Sequence, residues 1–190
     1  MKDENDYDEA AGVEASEDLP EVVAKPADEL DTSELARERD QHLASWKRAT
    51  ADYQNLKRRL QAEIDALNDR IYPALNNGVY RTGFATTQVA YEEAYHGVFA
   101  MLDELEGRLA GGHTFLFGDR LVETDIRLFV TLVRFDAAYF GLFKTNKRRI
   151  ADYPHLQAYM LRMLEVPGVR ETVSLEHIKA GYYSVKALNP

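Results

Sequence analysis

The chain has 190 residues, 45% of them hydrophobic, which fits one or two soluble globular domains. Its net charge of −9 is uneven: residues 1–34 hold 13 acidic and two basic side chains, net −11, which leaves +2 for residues 35–190 and no basic footprint for nucleic acid. There is no cysteine, which excludes disulfides, thiolate nucleophiles and thiolate metal sites within these residues.

Residues 1–30 are rich in Asp, Glu and Ala and poor in large apolar side chains. They cannot bury enough surface to offset their ordering entropy, so an acidic disordered tail is expected. No apolar stretch follows the N-terminal Met-Lys-Asp-Glu, and the longest strongly apolar run, Leu128 to Val133, is far too short to span a bilayer. A cytoplasmic protein without a membrane partner is expected.

Asp31-Thr32-Ser33-Glu34 reads as a helix start, with Asp31 or Ser33 as cap. No Gly or Pro follows until Pro73, and Leu43, Trp46, Tyr53, Leu56, Leu60, Ile64, Leu67 and Ile71 recur at helical spacing. A helix of this length runs roughly 60 Å, more than one small domain covers. Its first half therefore calls for a second copy in a coiled coil, with Leu43, Trp46, Tyr53, Leu56 and Leu60 as the dimer seam. Pro73 breaks or kinks the helix, and Asn76-Asn77-Gly78 signals a turn.

A second helix is predicted from Thr86 to about Leu109, stopped by Gly111-Gly112, and Phe115 to Asp119 forms a short apolar link. A third runs from about Glu123 to Phe140, with Asp125 placed as a capping-box acid and Leu121 and Ile126 at hydrophobic-staple spacing. A fourth opens at Tyr153-Pro154 and ends at Pro167-Gly168, and a short last one spans Val169 to about Lys179. No strand pattern or repeat interrupts this series, so the fold class is all-α.

Few constellations carry chemistry by themselves. His42, His96, His113, His155 and His177 share no metal-ligand spacing, so no metal site is expected. Lys57-Arg58-Arg59 and Lys147-Arg148-Arg149 read as solvated faces rather than nucleic-acid contacts, and no serine sits in a nucleophile elbow.

The stretch Ile64 to Tyr72 followed by Asn76-Asn77-Gly78-Val79-Tyr80-Arg81-Thr82-Gly83-Phe84-Ala85 resembles the start of the C-terminal domain of glutathionyl-hydroquinone reductases, which are omega-like glutathione S-transferases. The likeness continues through Thr131 to Asp136, Arg149 to Pro154, Pro167-Gly168-Val169 and His177-Ile178-Lys179, covering about residues 63–190. Upstream, Leu43 to Arg59 is similar to the long dimerising helix of GrpE, the nucleotide-exchange factor of DnaK-type chaperones. The chain then reads as a fusion: tail 1–30, GrpE-like helix 31–62, and a glutathione S-transferase C-terminal-type bundle at 63–190, with the two likenesses meeting near Leu60 to Ile64.

The first resemblance implies a domain that supplies the aromatic substrate pocket, where two tyrosines hydrogen-bond phenolic oxygens. These positions match Tyr80 and Tyr182, with Tyr183 a competitor one residue on, and the bland alternative is that both are ordinary half-buried aromatics. In that family the nucleophilic cysteine and the glutathione site lie on a thioredoxin-like domain. The expectation is therefore a phenol-binding domain without its catalytic half, with no cofactor bound by this chain alone. Departures from the family pattern are Thr145, where many relatives have Cys, and Val122, where relatives have Thr or Ser. The second resemblance implies a different class, a co-chaperone fragment that dimerises and touches a DnaK-type partner. A hybrid with neither activity is the third reading.

Overall fold

The computed structural model describes residues 32–189. The acidic tail and the cap assigned to Asp31 lie outside the described residues. By its contacts the chain divides between Ala51 and Asp52, within the first helix, α1 (Thr32–Ile71).

In the first unit, residues 32–51 are helical, and Leu43 and Trp46 are exposed, Trp46 at 65%. In the second unit, Tyr53, Leu56 and Leu60 are exposed, whereas Ile64, Leu67 and Ile71 are buried. The change comes where the helical stripe meets the core of the bundle.

The rest of the second unit is helical, with α2 (Gly78–Gly83), α3 (Gln88–Leu109), α4 (Glu123–Arg134), α5 (Phe140–Leu142), α6 (Pro154–Glu165) and α7 (Leu175–Tyr183). No strand occurs among the described residues, and the all-α expectation holds. One core runs through Val98, Leu102 and Leu105 of α3, Leu128 and Leu132 of α4, and Leu156 and Tyr159 of α6, all essentially solvent-free.

Pro73 interrupts the first helix as expected: α1 ends at Ile71, Tyr72–Asn76 form a π-turn, and α2 begins at Gly78. Three local expectations need correction. Asn76 is a clamp rather than a turn residue, because its amide donates to the Arg127 carbonyl (2.8 Å) and the Thr131 hydroxyl (2.6 Å) of α4. Gly78 is needed for close approach, since a Cβ there would lie 3.0 Å from a Val98 methyl. The third predicted helix is α4, then a second π-turn, Phe135–Tyr139, then α5. The last helix starts at Leu175 and not Val169, because the Ser174 hydroxyl accepts the His177 N–H and caps it.

Asp125 sits at the third position of α4, fully buried. Its carboxylate accepts the backbone N–H groups of Val122 (2.9 Å) and Leu116 (3.0 Å) and the hydroxyl of Tyr159 (2.9 Å). This is the acid half of a capping box. The other half is missing, because the Val122 side chain has no acceptor for the N-terminal N–H groups of α4. Leu121 and Ile126, the staple pair, are both exposed and bury little.

Restoring the missing oxygen with Val122→Thr is expected to stabilise the fold by about 1 kcal/mol. Urea unfolding followed by far-ultraviolet circular dichroism measures this directly. An unchanged or lowered midpoint would show that the N-terminus of α4 already has its partners.

Candidate functional site

Tyr80 lies on α2, Tyr139 closes the second π-turn and Tyr182 lies on α7. Their hydroxyls meet in a ring: Tyr80 to Tyr182 is 2.7 Å, Tyr139 to Tyr182 2.8 Å and Tyr80 to Tyr139 3.2 Å. Tyr139 is buried at 2% exposure, whereas Tyr80 is 36% exposed and Tyr182 half-buried. The ring is thus anchored on one dry phenol and presents two wet ones.

The aromatic rings are wedged by Phe143. It stands edge-on to Tyr80 (centroids 5.3 Å apart), Tyr139 (5.1 Å) and Tyr182 (5.8 Å). Edge-to-face contacts of this kind favour fixed ring orientations. Gly83 makes room for the wedge, since an added Cβ would stand 2.2 Å from the Phe143 ring.

Two adjoining cavities open on the ring. One, of about 500 Å³, is lined by Tyr80, Tyr139 and Tyr182 with Asn76, Arg127 and Arg134. The other, of about 520 Å³, shares Val130, Arg134 and Tyr182 and extends past His177 and Ile178. Both cations are engaged locally: Arg127 pairs with Glu123 one turn away, and Arg134 donates to the Val130 carbonyl.

Burial raises the Tyr139 hydroxyl far above its ordinary pKa, and its bonds to Tyr182 and Tyr80 add to the effect. The Tyr182 hydroxyl is also raised, by burial first, with the Tyr139 bond and Arg134 pulling the other way. Tyr139 and Tyr182 are therefore uncharged phenols at neutral pH, and each hydroxyl of the ring can act as a donor and an acceptor.

Residues 88–162 match the family model of the glutathione S-transferase, C-terminal domain. Glutathionyl-hydroquinone reductase PcpF of Sphingobium chlorophenolicum is 57% identical over 129 residues, covering 67% of this chain and 41% of that protein. Among solved structures, glutathione-bound YqjG from Escherichia coli K-12 superposes with a TM-score of 0.67 at 49% identity, covering 69% of this chain and 42% of that one. The glutathione S-transferase Xi of Phanerochaete chrysosporium gives a TM-score of 0.67 at 48% identity over the same shares. The chain spans about two fifths of the length of these relatives. Its helical domain is of the glutathione S-transferase C-terminal type. The comparisons give no support to the GrpE-type alternative.

Both tyrosines named from the sequence, Tyr80 and Tyr182, are in the ring, and Tyr183 is not. Tyr139 was missed. It continues the apolar face of α4 with Phe135, so in the sequence it is indistinguishable from a core aromatic.

Tyr139, Tyr153, Tyr159 and Tyr182 are among the tyrosines whose hydroxyls are raised above the ordinary value, burial being the first cause in each. A phenol in the unfolded chain ionises near about pH 10. Folded-state values above it mean that this stability is intact below about pH 10 and is lost as pH rises further. Tyrosinate absorbance and circular dichroism, followed together through an alkaline titration, should show these tyrosines ionising only as the helices unfold. Their ionisation near the ordinary value with the helices intact would contradict the burial argument.

Proposed function

We propose that residues 63–189 form the substrate-pocket domain of a glutathionyl-hydroquinone reductase-like protein, and that the tyrosine ring receives the oxygen of a phenol or hydroquinone. The observation that carries this is the convergence of three hydroxyls, from elements 43 to 102 residues apart in sequence, on one open cavity. The reductase relatives agree with it.

The chemistry follows from the count of protons. Three hydroxyls carry three protons, and in the closed ring each donates to a neighbour. When a ligand oxygen enters, Tyr139 donates to one neighbour from below. The protons of Tyr80 and Tyr182 then turn outward, and the ligand oxygen accepts both. Two such donors stabilise charge that develops on a quinone-type oxygen.

Glutathione itself does not fit the residues present. It carries an ammonium as well as carboxylates, and neither cavity beside the ring is lined by an acid that would pair with that ammonium. The 190 residues hold no thiol. No reaction step is therefore assigned to this chain, only the binding and orientation of the aromatic partner.

Purified chain is expected to bind small phenols weakly and to give no turnover of a glutathionyl-hydroquinone with glutathione above the buffer rate. Phe at both Tyr80 and Tyr182 should weaken phenol binding by about 1 kcal/mol for each hydroxyl removed. Calorimetric or NMR titration reads this. Equal affinity in the double variant, or heat-labile turnover by the parent chain, would overturn the assignment.

We also infer that a second copy of the chain covers the exposed stripe of α1. Leu43 and Trp46 in residues 32–51, and Tyr53, Leu56 and Leu60 in residues 52–71, are all at least 40% exposed. An uncovered amphipathic helix is marginal in water. Burying each large side chain gains roughly 1.5–3 kcal/mol. Sedimentation is expected to show a dimer at tens of micromolar, and a monomer after Trp46→Glu with Leu56→Glu. A parent chain that stays monomeric, or a dimer indifferent to those changes, would reject this seam.

A further inference from the structure

Lys144 is the one residue other than glycine with a positive φ, 60°, among the described residues. Side chains with a Cβ avoid this left-handed region, and a helix that ends in it usually carries Gly there. The Lys144 side chain gives no reason for the exception, since it is exposed and forms no salt bridge or side-chain hydrogen bond among the described residues. Strained backbone persists only where its surroundings over-determine it, and such places cluster at functional sites.

The corner is held from two sides. Helix α5 ends at Leu142, and the Lys144 N–H reaches back to the Gly141 carbonyl at 3.3 Å. The Tyr139 carbonyl accepts the N–H of Phe143 (3.2 Å) before the corner and that of Thr145 (3.3 Å) after it. These bonds are local and long. A shorter one comes from α3: the half-buried Tyr91 donates its hydroxyl to the Lys144 carbonyl at 2.8 Å, across 53 residues. The Thr145 hydroxyl adds nothing, because it is fully buried without a hydrogen-bond partner among the described residues.

The corner carries the wedge of the tyrosine ring. Phe143, the residue before Lys144, stands edge-on to Tyr80, Tyr139 and Tyr182. Relaxation of Lys144 toward an ordinary φ would swing Phe143 and strip bonds from the Tyr139 carbonyl. We propose that Tyr91 is a positioning residue for the ring: its hydroxyl holds the left-handed corner at Lys144 and so, through Phe143, sets where the three ring hydroxyls point. Tyr91 itself borders neither cavity beside the ring. The purpose of this device rests on the proposed phenol site, whereas its test rests on the ring alone.

The test is NMR of the full chain carrying tyrosine labelled with carbon-13 at Cζ, without ligand, with far-ultraviolet circular dichroism to follow the helices. Tyr91→Phe is expected to keep the helices, to shift and broaden the Tyr139 and Tyr182 signals, and to leave Tyr159, bonded to Asp125, in place. Adding Lys144→Gly should return both signals, because glycine holds a positive φ unaided. Thr145→Val, which removes a hydroxyl without a partner, should leave both where they are. Unmoved Tyr139 and Tyr182 signals in Tyr91→Phe, no return with Lys144→Gly, or an equal disturbance in Thr145→Val would each overturn the proposal. If Tyr91→Phe alone does not fold, recovery of the helices and of the ring signals in the double variant supports it, and no recovery overturns it.

Discussion

The start of α4, the link before it and the seat of α6 beside it all depend on how the Asp125 carboxylate is held. Burying an ionisable side chain without partners is costly, and the fold tolerates it only because several donors converge on it. Here those donors come from three places in the chain: Leu116 in the preceding link, Val122 at the start of α4, and Tyr159 on α6. One side chain thus fixes where α4 begins, how the link reaches it, and how α6 lies beside it. Removing it would strand buried donors, each at roughly 1–3 kcal/mol. The absence of a capping oxygen at Val122 makes the acid the more important half of the motif.

With the start of α4 fixed, its far end is set by backbone geometry. The π-turn at Phe135–Tyr139 closes with the Phe140 N–H bonded to the Phe135 carbonyl, five residues back. The insertion rotates the following residues relative to a plain α-helix and brings Tyr139 to the ring while Phe135 stays in the core. A second π-turn, Tyr72–Asn76, precedes Tyr80 and is tied to α4 through the Asn76 amide. Single π-turns are uncommon and concentrate at functional sites. Among the described residues both adjoin the ring, the first leading into α2 and Tyr80 and the second ending at Tyr139 itself.

The sequence made the helices legible because an amphipathic stripe advertises itself by period. Asp125 was legible too, since a capping acid sits at a set distance from a helix start. The misread places are those where a familiar residue type does an unfamiliar task. Asn76 and Gly78 carry the composition of a turn, yet one is a cross-helix clamp and the other a point of close packing. Tyr80 and Tyr182 were identified through a family likeness, not through any local pattern. Tyr139 has the spacing of a core aromatic, and what separates it from one is a hydroxyl contact across 43 residues to Tyr182. Local periodicity carries no record of that contact. The exposed half of the α1 stripe was legible as apolar, but a single chain holds no partner that accounts for it.

The ring's own completeness limits what it contributes to binding. Three hydroxyls that satisfy one another have no orphaned donor when the cavity holds no ligand. A ligand oxygen therefore relieves no stored penalty; it exchanges one set of hydrogen bonds for another, a net gain of about 1 kcal/mol for each bond. Sites that discriminate strongly between a hydroxylated ligand and its bare analogue do so by leaving buried polar groups unpaired when the hydroxyl is absent. This ring does not. Under the proposed function its contribution would be orientation, pointing one oxygen between Tyr80 and Tyr182 while the aromatic body takes its affinity from the apolar walls around Val130 and Ile178. On the proposed reading, a domain built this way would hold a range of phenols loosely and in one pose, because orientation and not hydrogen-bond rescue is what the ring supplies.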